Sequence, residues 1–109
     1  GLLLMADCSN LEEGIRAQSL GFDLVSTTLC SYTPYTRHKA IPDFQLIGSL
    51  ARALRIPVIA EGGIWSPEQL AEALACGAFA AVVGTAITRP REIVRRFVAA
   101  LPSPRRRPS

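Results

Sequence analysis

Val58-Ile59-Ala60-Glu61-Gly62-Gly63-Ile64, followed by Trp65-Ser66-Pro67-Glu68-Gln69, is the stretch on which the fold turns. A short apolar run between turn signals reads as a strand buried on both faces. Glu61 then places a charge at the strand's end, where burial is costly. Two glycines let the backbone approach a ligand closely. Ser66 as N-cap and Pro67 at the first helical position start a helix whose N-terminus faces the same spot. A plain βα-loop, with Glu61 paired to a neighbouring strand, is the alternative reading of these residues.

The same grammar recurs along the chain. Leu2-Leu3-Leu4-Met5-Ala6-Asp7 is a buried-strand run ending in a carboxylate, and Ser9 or Asn10 caps the next helix, with Glu12 and Glu13 in its first turn. Gly21 is placed to stop that helix, and Phe22–Leu29 forms the next strand, apolar first and polar at Ser26-Thr27-Thr28. A long irregular stretch, residues 30–42, holds both Tyr residues and the His; its length suits a binding loop, a solvated connector being the alternative. Asp43 caps a helix striped with Phe44, Ile47, Leu50 and Leu54. The helix from Pro67 stops at Gly77, Ala80–Ile87 is expected as the fourth strand, and a last helix is expected to bury Ile93, Val94, Phe97, Val98 and Leu101. Four strand–helix units imply a parallel sheet with helical cover, α/β in class. They make either half of a TIM (β/α)8 barrel or a small open sheet. The chain enters its first apolar run directly at Gly1, with no turn or cap. That is the expectation for a cut through a longer protein, and it favours the half-barrel, with residues 1–101 forming it and 102–109 a disordered Pro/Arg/Ser tail.

Composition narrows the function. The chain has 109 residues, 49% hydrophobic and 19% charged, which describes a globular domain. The net charge of +3 is accounted for by Arg105-Arg106-Arg107 in the tail, where little aromatic character accompanies it, so no nucleic-acid partner is expected. The leading apolar run is too short to span a membrane. Three scattered Cys and one His offer no ligand spacing, so no metal, no disulfide framework and a cytoplasmic location are expected.

In either architecture ligands bind at the C-terminal ends of the strands. There stand Asp7, Ser26-Thr27-Thr28, Glu61-Gly62-Gly63 and Gly84-Thr85. The glycine-bearing turns before two helices suit a phosphate, with Arg89 able to add a guanidinium contact. A carboxylate at such a rim can take and return a proton. No nucleophile–base pair is visible, so proton abstraction beside the carbonyl of a sugar phosphate fits better than acyl transfer.

Leu4-Met5-Ala6-Asp7, Ser26-Thr27-Thr28-Leu29 with Tyr32-Thr33, Pro57-Val58-Ile59-Ala60-Glu61-Gly62, and Val82-Val83-Gly84 with Ala86-Ile87-Thr88-Arg89-Pro90 closely resemble the bacterial N-acetylmannosamine-6-phosphate 2-epimerase family. The resemblance runs through the chain up to the tail. It implies a TIM barrel of the ribulose-phosphate-binding type, of which this chain matches strands five to eight. It implies interconversion of N-acetylmannosamine 6-phosphate and N-acetylglucosamine 6-phosphate by proton transfer at C2, in sialic-acid and amino-sugar catabolism, without a cofactor, in a protein able to form a homodimer. On this resemblance Glu61 is the catalytic carboxylate, Asp7, Thr27, Thr28 and Tyr32 bind the sugar, and Gly62, Gly63, Gly84, Thr85 and Arg89 hold the phosphate. The family's catalytic Lys lies on an early strand that this chain does not match, since Lys39 falls in a loop; the chain alone is therefore expected to be inactive. Gly63 stands where the family usually has Arg, and Ser31 where it often has Gly. Another phosphate-binding barrel enzyme, or a non-catalytic sugar-phosphate-binding remnant, are the competing readings.

Overall fold

The computed structural model describes residues 1–29 and 41–102. Four strands, β1 (Met5–Asp7), β2 (Leu24–Ser26), β3 (Val58–Glu61) and β4 (Ala80–Val82), alternate with helices α1 (Leu11–Ser19), α2 (Phe44–Ala53) and α3 (Pro67–Ala75). After β4 come a short helix α4 (Thr85–Thr88) and a longer α5 (Pro90–Ala99). All strand pairs are parallel, and the sheet order is β1-β2-β3-β4. An open doubly wound sheet reverses its strand order at a switch point, whereas a barrel adds each strand beside the last. The order therefore selects barrel winding over the open sheet.

The helix boundaries follow from caps written in the sequence. The Asn10 side chain accepts from the Glu13 N–H, and Asp43 accepts from that of Leu46. Ser66 and Gln69 form a reciprocal capping box, and the Gln69 carbonyl also accepts from the Trp65 N–H at 2.7 Å. Gly21 and Gly77 end α1 and α3 at positive φ, 90° and 112°.

Two apolar clusters hold the sheet to its helices. One joins Ala17, Val25, Leu46, Leu50, Leu54 and Val58; the other joins Ile47, Ala60, Ile64, Ala73 and Ala78. Only β3 has three consecutive buried residues, as expected of an interior strand, whereas β1 and β4 lie at the sheet's edges.

Four expectations change, the first being the second strand, which spans Leu24–Ser26 and not Phe22–Leu29. Leu2, Leu3 and Leu4 are exposed and precede β1. Leu4 is tied to Asp23 and Leu24, but the turn at Gly21 leaves earlier residues no strand to pair with. The fourth strand ends at Val82, because Gly84 opens α4 and the Thr88 hydroxyl donates back to the Gly84 carbonyl. Finally, α5 exposes Val94, Phe97, Val98 and the following Leu101 instead of burying them. Within the described residues it packs chiefly on α4.

Leu50 is fully buried where α1, α2 and the sheet meet. Leu50→Ala is expected to lower the unfolding free energy by about 2–5 kcal/mol, read as a lower urea midpoint with an unchanged slope.

Candidate functional site

The C-terminal ends of β2, β3 and β4 open onto a pocket of about 490 Å³, lined by Thr28, Glu61, Gly62, Gly63, Gly84 and Thr85, with Leu29, Ile41, Ile64, Trp65 and Val82 as its apolar wall. That volume lies within the range of small-molecule sites. The lining thus offers both polar groups and apolar surface to a ligand.

Glu61 is fixed twice. In a parallel sheet a residue's N–H and C=O point to the same neighbour, and at the end of β3 that neighbour is β2. The Thr27 hydroxyl accepts from the Glu61 N–H at 2.9 Å and donates to the Glu61 carbonyl at 2.9 Å. One buried side chain thus replaces the next rung of the ladder and satisfies both groups. The carboxylate is held separately: Thr28 Oγ1 donates to Oε2 at 2.7 Å and Ser26 Oγ lies 3.1 Å from the same oxygen. Glu61 is half-buried and faces the pocket.

Asp7, at the end of β1, is exposed; its Oδ1 lies 3.3 Å from Thr28 Oγ1. The adjoining Cys8 is buried, and its thiol is pushed up to about 11 by that burial, with the carboxylates of Glu13 and Asp7 adding to the effect. It stays protonated near neutral pH and is no nucleophile.

Gly62 and Gly63 both take positive φ, 100° and 75°. A Cβ on Gly63 would lie 2.8 Å from Ile41 Cγ1 and 3.0 Å from the Ile41 carbonyl carbon. The departure at position 63 therefore has a structural counterpart: Ile41 occupies the space a side chain would need. Trp65 lines the pocket, and the Arg96 guanidinium of α5 lies 4.1 Å over its ring.

The structure brings Glu61, Gly62, Gly63, Gly84, Thr85 and Thr28 to one pocket. Thr27 is buried, and its hydroxyl is taken up by the Glu61 backbone. Arg89 is exposed at the α4–α5 junction, outside the pocket lining. Tyr32 lies outside the described residues. Sequence reasoning set Ser26 among the strand ends without giving it a role, and did not single out Ile41 or Trp65. A role for Ser26 was within reach, since residues two apart on a strand share a face and Thr28 was already a candidate.

Sequentially ordered parallel βα units with a polar pocket at the strand ends define a TIM-barrel protein, of which this chain holds the last four units. A family described as "Putative N-acetylmannosamine-6-phosphate epimerase" matches residues 1–103. The chain belongs to the N-acetylmannosamine-6-phosphate epimerase family. A relative from Caldanaerobacter subterraneus subsp. tengcongensis, carrying the corresponding 2-epimerase name, is 60% identical over 97 residues, covering 89% of this chain and 41% of the relative. The solved N-acetylmannosamine-6-phosphate 2-epimerase from Clostridium perfringens superposes with a TM-score of 0.89 at 55% identity, covering 93% of this chain and 44% of that one. More distantly, (S)-3-O-geranylgeranylglyceryl phosphate synthase from Thermoplasma acidophilum, solved with its substrate sn-glycerol-1-phosphate, superposes with a TM-score of 0.58 at 30% identity, covering 78% of this chain and 32% of that one. The chain spans less than half the length of these relatives.

Thr27→Val keeps the shape but removes both hydroxyl bonds to Glu61. Leaving two buried backbone groups unpaired is expected to cost about 1–3 kcal/mol, measured by urea unfolding, while Thr27→Ser is expected to retain most of the wild-type stability.

Proposed function

We propose that this chain supplies the Glu61 side of a site that interconverts N-acetylmannosamine 6-phosphate and N-acetylglucosamine 6-phosphate, in amino-sugar catabolism in the cytoplasm. The observation that carries the proposal is a half-buried carboxylate held by two hydroxyls in the same pocket as two glycine-bearing βα-turns. The reaction breaks the C2–H bond beside the C1 carbonyl of the open-chain sugar, leaving the electron pair in an enolate. Return of a proton to the opposite face inverts C2. Glu61 is the group proposed to move that proton, and general acid–base catalysis contributes about 10²–10⁴-fold to such steps.

The phosphate is assigned to the N–H groups around Gly62, Gly63, Gly84 and Thr85. Barrels commonly bind phosphate at their last two βα-loops and the short helix beyond them, which is where α4 stands. The sn-glycerol-1-phosphate with which the T. acidophilum synthase was solved supports a phosphate ligand in this structural class. Arg89 is assigned an outer contact to the same phosphate, and Asp7 and Thr28 a place at the rim near the sugar hydroxyls. No residue of this chain matches the family's catalytic Lys, so the 109-residue chain alone is expected to be inactive and a complete barrel is required. A homodimer of the complete protein is part of the proposal. No helix among the described residues is long and apolar enough to cross a membrane.

The test uses a complete barrel made by joining this chain to the first half of the C. perfringens relative. In deuterated water, wild type is expected to wash deuterium into C2, and Glu61→Gln to lose that exchange by at least about 100-fold. Retained exchange removes Glu61 from the chemistry. Arg89→Ala is expected to weaken binding of N-acetylmannosamine 6-phosphate about tenfold, the scale of one charge-assisted contact, without affecting the unphosphorylated sugar. Equal losses for both sugars would detach Arg89 from the phosphate.

A further inference from the structure

The two carboxylate oxygens of Glu61 are not equivalent. Both hydroxyls, Thr28 Oγ1 at 2.7 Å and Ser26 Oγ at 3.1 Å, address Oε2, and among the described residues no hydrogen bond reaches Oε1. Thr28 has a single hydroxyl proton and two carboxylates in reach. Oε2 of Glu61 is 2.7 Å away and Oδ1 of Asp7 3.3 Å, so the proton goes to Glu61. Ser26 is fully buried, its oxygen accepts from the Thr28 N–H at 3.3 Å, and it lies 2.5 Å from Thr28 Oγ1. With the Thr28 proton committed, the Ser26 proton runs either to Thr28 Oγ1 or to Oε2. Directly or through Thr28, the hydroxyl chain therefore ends on the same carboxylate oxygen.

We infer that Ser26 and Thr28 are positioning residues that bind Glu61 by Oε2 alone and reserve Oε1 as the atom that exchanges a proton with one face of C2, the opposite face being served by a group from the rest of the complete barrel. The inference rests on the reading of Glu61 as the proton-transfer residue. An ionised carboxylate accepts these hydrogen bonds on Oε2; a carboxylic acid protonated on Oε1 accepts the same bonds on the carbonyl oxygen that Oε2 has become. The hydroxyls therefore need not turn between the two states, and donors that stay fixed through a proton transfer impose no reorganisation on it. Protonation on Oε2 would instead put the proton on the oxygen that both hydroxyls already address, where it competes with them for space. Ser26 and Thr28 come from β2 and the residues just after it, and the ionisable groups around them are Asp7 from β1 and Glu61 from β3.

The experiment compares Thr28→Val, Thr28→Ser, Ser26→Ala and the double variant Ser26→Ala/Thr28→Val in the complete barrel. Thr28→Val is expected to lower kcat for C2 exchange about 10–100-fold, within the range of positioned proton transfer, with KM changed less than about threefold, and Thr28→Ser to restore it. Loss in KM with kcat unchanged, or no rescue by Ser, would limit Thr28 to its contact with the sugar and overturn the inference. A second readout does not depend on turnover. The infrared splitting between the antisymmetric and symmetric carboxylate stretches, assigned to Glu61 by its loss in Glu61→Gln, is expected to be wide in wild type and Thr28→Ser and to narrow in the double variant. An identical splitting in all of them would also overturn it. If the wild-type barrel shows no exchange, the epimerase reading fails, and the infrared comparison still decides the asymmetry.

Discussion

A single threonine hydroxyl, bonded both to the N–H and to the carbonyl of Glu61, is the contact on which the site depends. The backbone ladder between β2 and β3 runs through Val25 with Val58 and Ser26 with Ile59, and Thr27 still donates its N–H to Ile59. Past that point β2 has ended, and the Thr27 side chain takes the place of a backbone partner for Glu61. A side chain can reach where the main chain has already turned away. Thr27 therefore lets β3 stay ordered through its last residue while the rim opens. Ser26 and Thr28, one residue to either side, then point at the carboxylate itself.

The rest of the architecture sets up this arrangement. The parallel register brings Asp7, Ser26 and Glu61 to one end of the sheet, because each βα unit repeats the same direction. Helix α3 begins immediately beyond, its first turn held by the Ser66–Gln69 box, and Trp65 is fixed in the pocket wall by the same glutamine and by Arg96. Gly63 leaves room for Ile41, which lines the same pocket and which a Cβ at position 63 would meet at 2.8 Å. Family membership and fold agree with this picture over nearly the whole chain.

Much of this was legible in the sequence because it is local. Asn10, Asp43, Ser66, Gly21 and Gly77 announce helix ends through chemistry confined to a few residues, and Val58–Glu61 announces itself as an interior strand. Glu61 was legible as a charge at the end of an apolar run. What depends on register was not. The Thr27 clamp needs β2 and β3 aligned to the residue, and the shared use of Oε2 by Ser26 and Thr28 needs the carboxylate's orientation. The short helix α4 was read as strand because Ala80–Ile87 is uniformly apolar apart from Gly84 and Thr85, and a run of that kind does not separate strand from helix. The face of α5 was read as buried because its stripe is apolar, yet periodicity says only that a face wants cover; within the described residues Val94, Phe97 and Val98 have little.

The role given to Glu61 stands or falls on where the sugar's C2 lies. A crystal structure of the complete barrel with Glu61→Gln and N-acetylmannosamine 6-phosphate bound measures it directly. The phosphate is expected over Gly62, Gly63, Gly84 and Thr85. C2 of the open-chain sugar is expected to face the side-chain atom at the Oε1 position, at about 3–3.5 Å, the separation of a near-attack geometry. A phosphate seated elsewhere, or C2 turned away from residue 61 toward β1, would contradict it.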